Sequence, residues 1–230
     1  PYYDLADKYK IKIDFRPFIK VEGVDAKEFR AQKVNISEHT AVILTSKVAA
    51  DHFFRIAEET RFEVPETMKY FCISEAVAKY LQKFIAYRKR KIFHGIQTIE
   101  QLADVMKKHK NEKYLLPCTD ILRDSIPETL SDQKFNFTKA VLYRTVAADL
   151  SDLEDVYYDI LVFFSPSGIK SLFENFPNFE QNDTRIAVFG NTTVKAATEQ
   201  GLRVDIQAPT PETPSMTMAL EKYIKAANKK

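Results

Sequence analysis

Residues 41–57 (AVILTSKVAADHFFRIA) and 160–175 (ILVFFSPSGIKSLFEN) follow one pattern: an apolar run, a serine-bearing turn, then helical spacing. Each is followed by a second unit of the same kind. MKYFCISEAVAKYL (68–81) follows the first, and TRIAVFGNTTVKAATEQG (184–201) follows the second. A strand–turn–helix pair that occurs twice argues for two similar α/β lobes. In a chain of 230 residues each lobe holds roughly 110, enough for its own core. Two lobes make a cleft, and a cleft is where ligands are bound.

The rest of the chain extends the alternation. Helices are expected over 2–10, 26–33, 48–59, 75–84, 98–110 and near 120–131; strands over 41–45, 69–73, 91–95 and 113–117. Residues 11–22 read as extended, with Pro17 confining them to an edge or a connection. KAVLYRT (139–145) is extended again. The pattern then restarts, with strands at 159–164, 185–190 and 202–208, helices at 168–175, 192–200 and 216–227, and a proline-rich turn at 209–215. Strands without polar alternation, separated by helices, predict parallel sheets covered on both faces with right-handed crossovers. The N-terminal helix has no strand before it in the first copy. The economical layout is therefore one lobe inserted in the other. Residues 1–16 and 146–230 form the outer lobe, 22–138 the inner lobe, and 17–21 and 139–145 a two-stranded linker that permits hinge motion.

Several function classes are disfavoured. With 34 basic against 32 acidic residues and a net charge of +2, nucleic acid gains no support as a partner. RKRK (88–91) reads as a solvated run. No apolar stretch reaches the ~18–20 residues that span a bilayer, and no secretory signal pattern opens the chain. The start at Pro1 rather than Met suggests a missing N-terminal piece. Cys72 and Cys118 end apolar runs and read as reduced core thiols of a cytoplasmic protein. His39, His52, His94 and His109 make no metal-ligand spacing with them, so no metal is expected.

In parallel α/β sheets, ligands bind past the carboxyl ends of the strands, where helices begin. The turns there are rich in short hydroxyls: Ser46, Ser74, Cys118-Thr119, Ser165-Pro166-Ser167-Gly168, and Asn191-Thr192-Thr193. Free amides at helix starts suit carboxylates or phosphates. For any one turn, helix capping explains the residues better; several turns facing one cleft make anion binding an even alternative. There is no GxxxxGK[ST] loop, no GxGxxG after a strand and no GxSxG elbow. Glu154, Asp155 and Asp159 read as loop acids. Tyr143, in the connecting segment AVLYRT, either donates a proton in the cleft or packs on a strand. Arg144 points the opposite way if the segment is extended.

At FFSPSGIKSLF (163–173), IAVFGNTTVKAATEQGLRV (186–204), APTPETPSMTMAL (208–220), AVLYRT (140–145) and KYLLPCTDIL (113–122), the chain resembles the uroporphyrinogen-III synthase family. The resemblance implies two α/β lobes on a two-stranded linker. It implies a cofactor-free lyase of tetrapyrrole (heme) biosynthesis, which cyclises hydroxymethylbilane to uroporphyrinogen III with loss of water and inversion of the last pyrrole ring. The partner would be this linear tetrapyrrole with its carboxylates, and the protein a cytoplasmic monomer off the membrane. By the same resemblance Tyr143 is the candidate acid. Thr192 and Thr193 match the family's threonine pair, and Ser165 and Ser167 its SPSG turn. The family's strand before the first helix is missing. Ser74 and Val77 stand where the family often has Gly and Thr, and the glycine expected near Thr119 is replaced. Two rivals stand beside this reading: a non-catalytic two-lobed binder of an anionic small molecule, and a regulatory protein that kept the fold without activity.

Overall fold

Residues 1–122 and 124–228 are described by a computed structural model of the chain. They divide into two compact units, one made of Pro1–Lys20 with the chain from Val146 onward, the other of Val21–Thr145. Lys229 and Lys230, counted above in the outer lobe, lie outside the described residues, as does Arg123 in the helix expected near 120–131.

The Val21–Thr145 unit alternates strands and helices: α2 (Ala26–Ala31), β2 (Ala41–Leu44), α3 (Lys47–Glu59), β3 (Lys69–Cys72), α4 (Glu75–Tyr80), β4 (Ile92–His94), α5 (Ile99–Met106), β5 (Tyr114–Thr119) and α6 (Ser125–Asp132). It shares β1 (Ile19–Gly23) and β6 (Phe137–Ala147), which run across the division, and α1 (Tyr2–Tyr9) precedes them in the other unit. The sheet order is β1-β6-β5-β2-β3-β4. The β6–β5, β5–β2, β2–β3 and β3–β4 pairs are all parallel.

Successive side chains of these strands alternate between two cores. Val42, Leu44, Tyr70 and Cys72 join Phe53 and Ile56 of α3 on one face. Ala41, Ile43 and Phe71 join Leu102 and Met106 of α5 on the other. A period of two with both faces covered is why AVIL carries no polar residue. Burying each of these larger side chains contributes about 1.5–3 kcal/mol.

The other unit holds β7 (Ile160–Phe163), α7 (Pro166–Asn175), β8 (Arg185–Phe189), α8 (Asn191–Glu199), β9 (Val204–Ala208) and α9 (Met216–Ala227). Its sheet is β7-β8-β9, parallel throughout. Ile186 and Val188 pack with Ile169 and Leu172 of α7. Ala187 between them packs with Leu220 and Ile224 of α9 and with Leu5 of α1.

The α/β architecture with parallel sheets flanked by helices is as expected. Among the differences are these. The helix expected at Gly168 starts at Pro166, because Ser165 caps it and Pro at the first helical position needs no donor. The helix expected over 75–84 tightens to a 3₁₀ turn at Leu81–Lys83. Residues 139–145, read as a connection, are part of β6, which pairs with β5 along Tyr114–Thr119; Ala140 and Leu142 are fully buried.

Candidate active site

Parallel pairing sets the carboxyl ends of β5, β2 and β3 side by side along one edge of their sheet, and β6 runs past them beside β5. Each end carries an expected site residue. Ser46 follows β2 and caps α3, its Oγ accepting from the Ala49 amide at 3.0 Å. Ser74 follows β3 at the cap position of α4 and makes no capping hydrogen bond through its hydroxyl. Thr119 ends β5 and donates its hydroxyl to Asp120 Oδ1 at 2.8 Å. Cys118, expected beside them as a ligand contact, is only 1% exposed. Its thiol is buried because both faces of β5 are covered.

Tyr143 lies within β6, level with Thr119 at the end of β5, and is half-buried. Its register is irregular: Cys118 pairs with Val141 while Thr119 pairs with Tyr143, leaving Leu142 as an extra residue. Such a bulge bends a strand and re-aims its side chains. Four consecutive residues, Ala140 to Tyr143, therefore pack against one core cluster, where a regular strand would alternate. Burial raises the pKa of the Tyr143 phenol, and the neighbouring Ser46 hydroxyl offsets part of that rise. The phenol stays protonated at neutral pH, as an acid requires. The His52 ring of α3 lies nearly parallel to it, with centroids 5.1 Å apart and planes 18° apart.

In the other unit, the ends of β7 and β8 are neighbours. Ser165 Oγ accepts from the Gly168 amide at 3.4 Å; Pro166 is exposed and Ser167 half-buried. Gly168 is buried, and a Cβ there would stand 3.2 Å from Phe163 Cδ1, so its role is close packing of α7 on β7. Gly190 caps α8 with no side-chain acceptor, at φ 85° and ψ 149°. Asn191 and Thr192 are exposed at the start of this helix, in position to present backbone amides to an anion. Thr193, expected to share that task, is 1% exposed, and its Oγ1 has no hydrogen-bond partner among the described residues. Of the pair, Thr192 is the one open to a ligand, because Thr193 turns inward over β8. No group of three or more His, Cys, Asp and Glu that could hold a metal ion occurs among the described residues. No helix among them is long and apolar enough to cross a membrane.

The family model described as Uroporphyrinogen-III synthase HemD matches residues 3–218. The chain belongs to the uroporphyrinogen-III synthase family. A curated uroporphyrinogen-III synthase of Saccharomyces cerevisiae is 26% identical over 139 residues, 54% of this chain. The match spans half the length of that relative. Among solved structures, a uroporphyrinogen-III synthetase from Helicobacter pylori 26695 superposes with a TM-score of 0.57 at 20% identity, over 91% of each chain. A mutant uroporphyrinogen III synthase from the extremely thermophilic bacterium Thermus thermophilus gives 0.50 at 15% identity, over 100% of this chain and 94% of that one. At these identities the structural likeness is one of fold.

For a member of this family, two residues near Tyr143 and Ser46 escape a reading of the sequence. His52 enters that reading only as a histidine without metal-ligand spacing. Lys47, exposed at the first helical position after Ser46, places its ammonium 5.4 Å from the Tyr80 ring centroid. The spacing of His52 and Arg55, three apart on one helix face, is the available signal.

Proposed function

We propose that this protein is a uroporphyrinogen-III synthase, closing hydroxymethylbilane into uroporphyrinogen III with loss of water and inversion of the last ring. The observation that carries the proposal is family membership over residues 3–218, joined to a protonated, half-buried phenol among hydroxyl-bearing strand ends. The pyrroles are electron-rich and expel the hydroxyl themselves once it is protonated. Tyr143 supplies that proton, a contribution of about 10²–10⁴-fold. Ser46, Ser74 and Thr119, in the same unit as Tyr143, receive substrate carboxylates. Ordering the chain so that the substituted carbon of the last ring attacks is the larger part of the task. No cofactor takes part in this scheme. The protein is read as a cytoplasmic monomer.

The test is incubation with enzymatically made hydroxymethylbilane followed by separation of the isomers. The type III isomer should dominate. A product no different from the spontaneous type I ring removes the activity, and binding without conversion favours the binding-protein reading. Tyr143→Phe should cut turnover by about 100-fold or more with the fold intact, in line with the range for a lost acid. Wild-type turnover in that variant removes Tyr143 from the acid role.

A further inference from the structure

We infer that the bulge at Leu142 is held by Arg55 and Gln32 and faced by His52 so as to aim the Tyr143 phenol, which makes these three the positioning residues of the acid. The inference rests on the proposed role of Tyr143.

The backbone around the bulge is bonded largely to side chains. The Gln32 side chain, just past α2, donates Nε2 to the Val141 carbonyl at 2.7 Å and accepts the Val141 amide on Oε1 at 3.0 Å. The Leu142 carbonyl accepts Arg55 Nη2 at 3.1 Å and the Val24 amide at 2.9 Å. The same Nη2 donates to the Val24 carbonyl at 2.7 Å. Two residues directly before Tyr143 are therefore fixed by groups from α2 and α3. Gln32 thus supplies side-chain partners for both polar groups of Val141, whereas the Leu142 carbonyl keeps the Val24 amide when Arg55 is lost and forfeits the guanidinium that ties it to α3.

Arg55 also sets the side-chain contact. Its Nε donates to His52 Nδ1 at 3.1 Å, and its Nη1 pairs with Glu59 at 2.6 Å. Nδ1 must then be the acceptor, which leaves the neutral ring as the Nε2–H tautomer. Burial, with Arg55 second, lowers the His52 pKa and favours that neutral ring. Held in this way, the ring lies flat on Tyr143. One guanidinium thus fixes both the backbone before the tyrosine and the ring against it. Gly23 leaves the room: a Cβ there would stand 2.8 Å from Arg55 Nη2.

This arrangement separates positioning from mere support of the fold. Arg55→Lys loses the fork that reaches Leu142 and His52 together. His52→Leu loses the flat ring, and His52→Phe restores it without the nitrogens. Misplacing a reacting group by about 1 Å can cost 10²-fold. Arg55→Lys and His52→Leu should therefore lower kcat about 10–100-fold with KM unchanged, and more bilane should escape to the type I isomer. His52→Phe should recover most of kcat. In a Tyr143→Phe background, where residual turnover no longer uses the phenol, neither substitution should lower kcat further.

The same fold-loss in both backgrounds overturns the inference, as do a change confined to KM, a failure of His52→Phe to recover kcat, or wild-type kcat in the folded variants. Should Arg55→Lys not fold, Gly23→Ala displaces the guanidinium from the other side and must give the same kcat loss. The underlying reading fails differently: wild-type protein makes no type III isomer, or Tyr143→Phe turns over normally.

Discussion

Gly190→Ala isolates a backbone cost from every contact. Gly190 sits at φ 85° and ψ 149°, immediately before α8. That region is close to the glycine-only part of backbone space, and holding another residue there costs about 1–3 kcal/mol. A Cβ at this position meets nothing within 4 Å, so no clash adds to the penalty and no new packing offsets it. Taking about 2 kcal/mol, the midpoint of thermal unfolding of this unit should fall by about 5–10 °C. Gly201 is the control. It follows α8 at φ 77°, its amide donating to the Thr198 carbonyl and the Leu202 amide to the Ala197 carbonyl, both at 3.0 Å. This is the left-handed helix stop that asparagine tolerates, so Gly201→Asn should cost less than about 1 kcal/mol. Circular dichroism melts of both variants at one pH are the assay. A Gly190→Ala midpoint within about 2 °C of wild type, or equal loss in the two variants, refutes the reasoning.

Two further outcomes follow from the charged and thiol groups. Lys8 first, then Lys225 and Tyr9, hold the Glu221 carboxyl down to about 2, against an ordinary 4.5. The folded state favours the charged form, so this contribution is complete above pH 4.5 and is lost as pH falls from there towards 2. Glu221→Gln should flatten the urea midpoint across that window, and an unchanged slope would discard the linkage. Burial pushes the Cys72 thiol up to about 12 and raises Cys118 as well. Neither should label with a thiol reagent at about pH 8 until the protein is unfolded; rapid labelling of native protein would show that these cores open.

The strands and helices of the two α/β units are largely legible in the sequence, because periodicity, caps and stops are local properties. AVIL and RIAVF read as covered strands since both faces meet helices, and Ser46 and Ser165 announce the helices they cap. The family motifs lie in the same local stretches. What the chain does not disclose is anything set by register between distant segments. Cys118 and Thr193 look like ligand contacts from their neighbours in sequence, yet the elements packed around them bury both. The extra residue at Leu142 exists only relative to β5, and it is held by Gln32 and Arg55, which lie far upstream in the chain. Local propensity chooses the element; which backbone groups are left over for side chains to satisfy is decided only when strands far apart in the chain pair, and that pairing is what gives Tyr143 its direction.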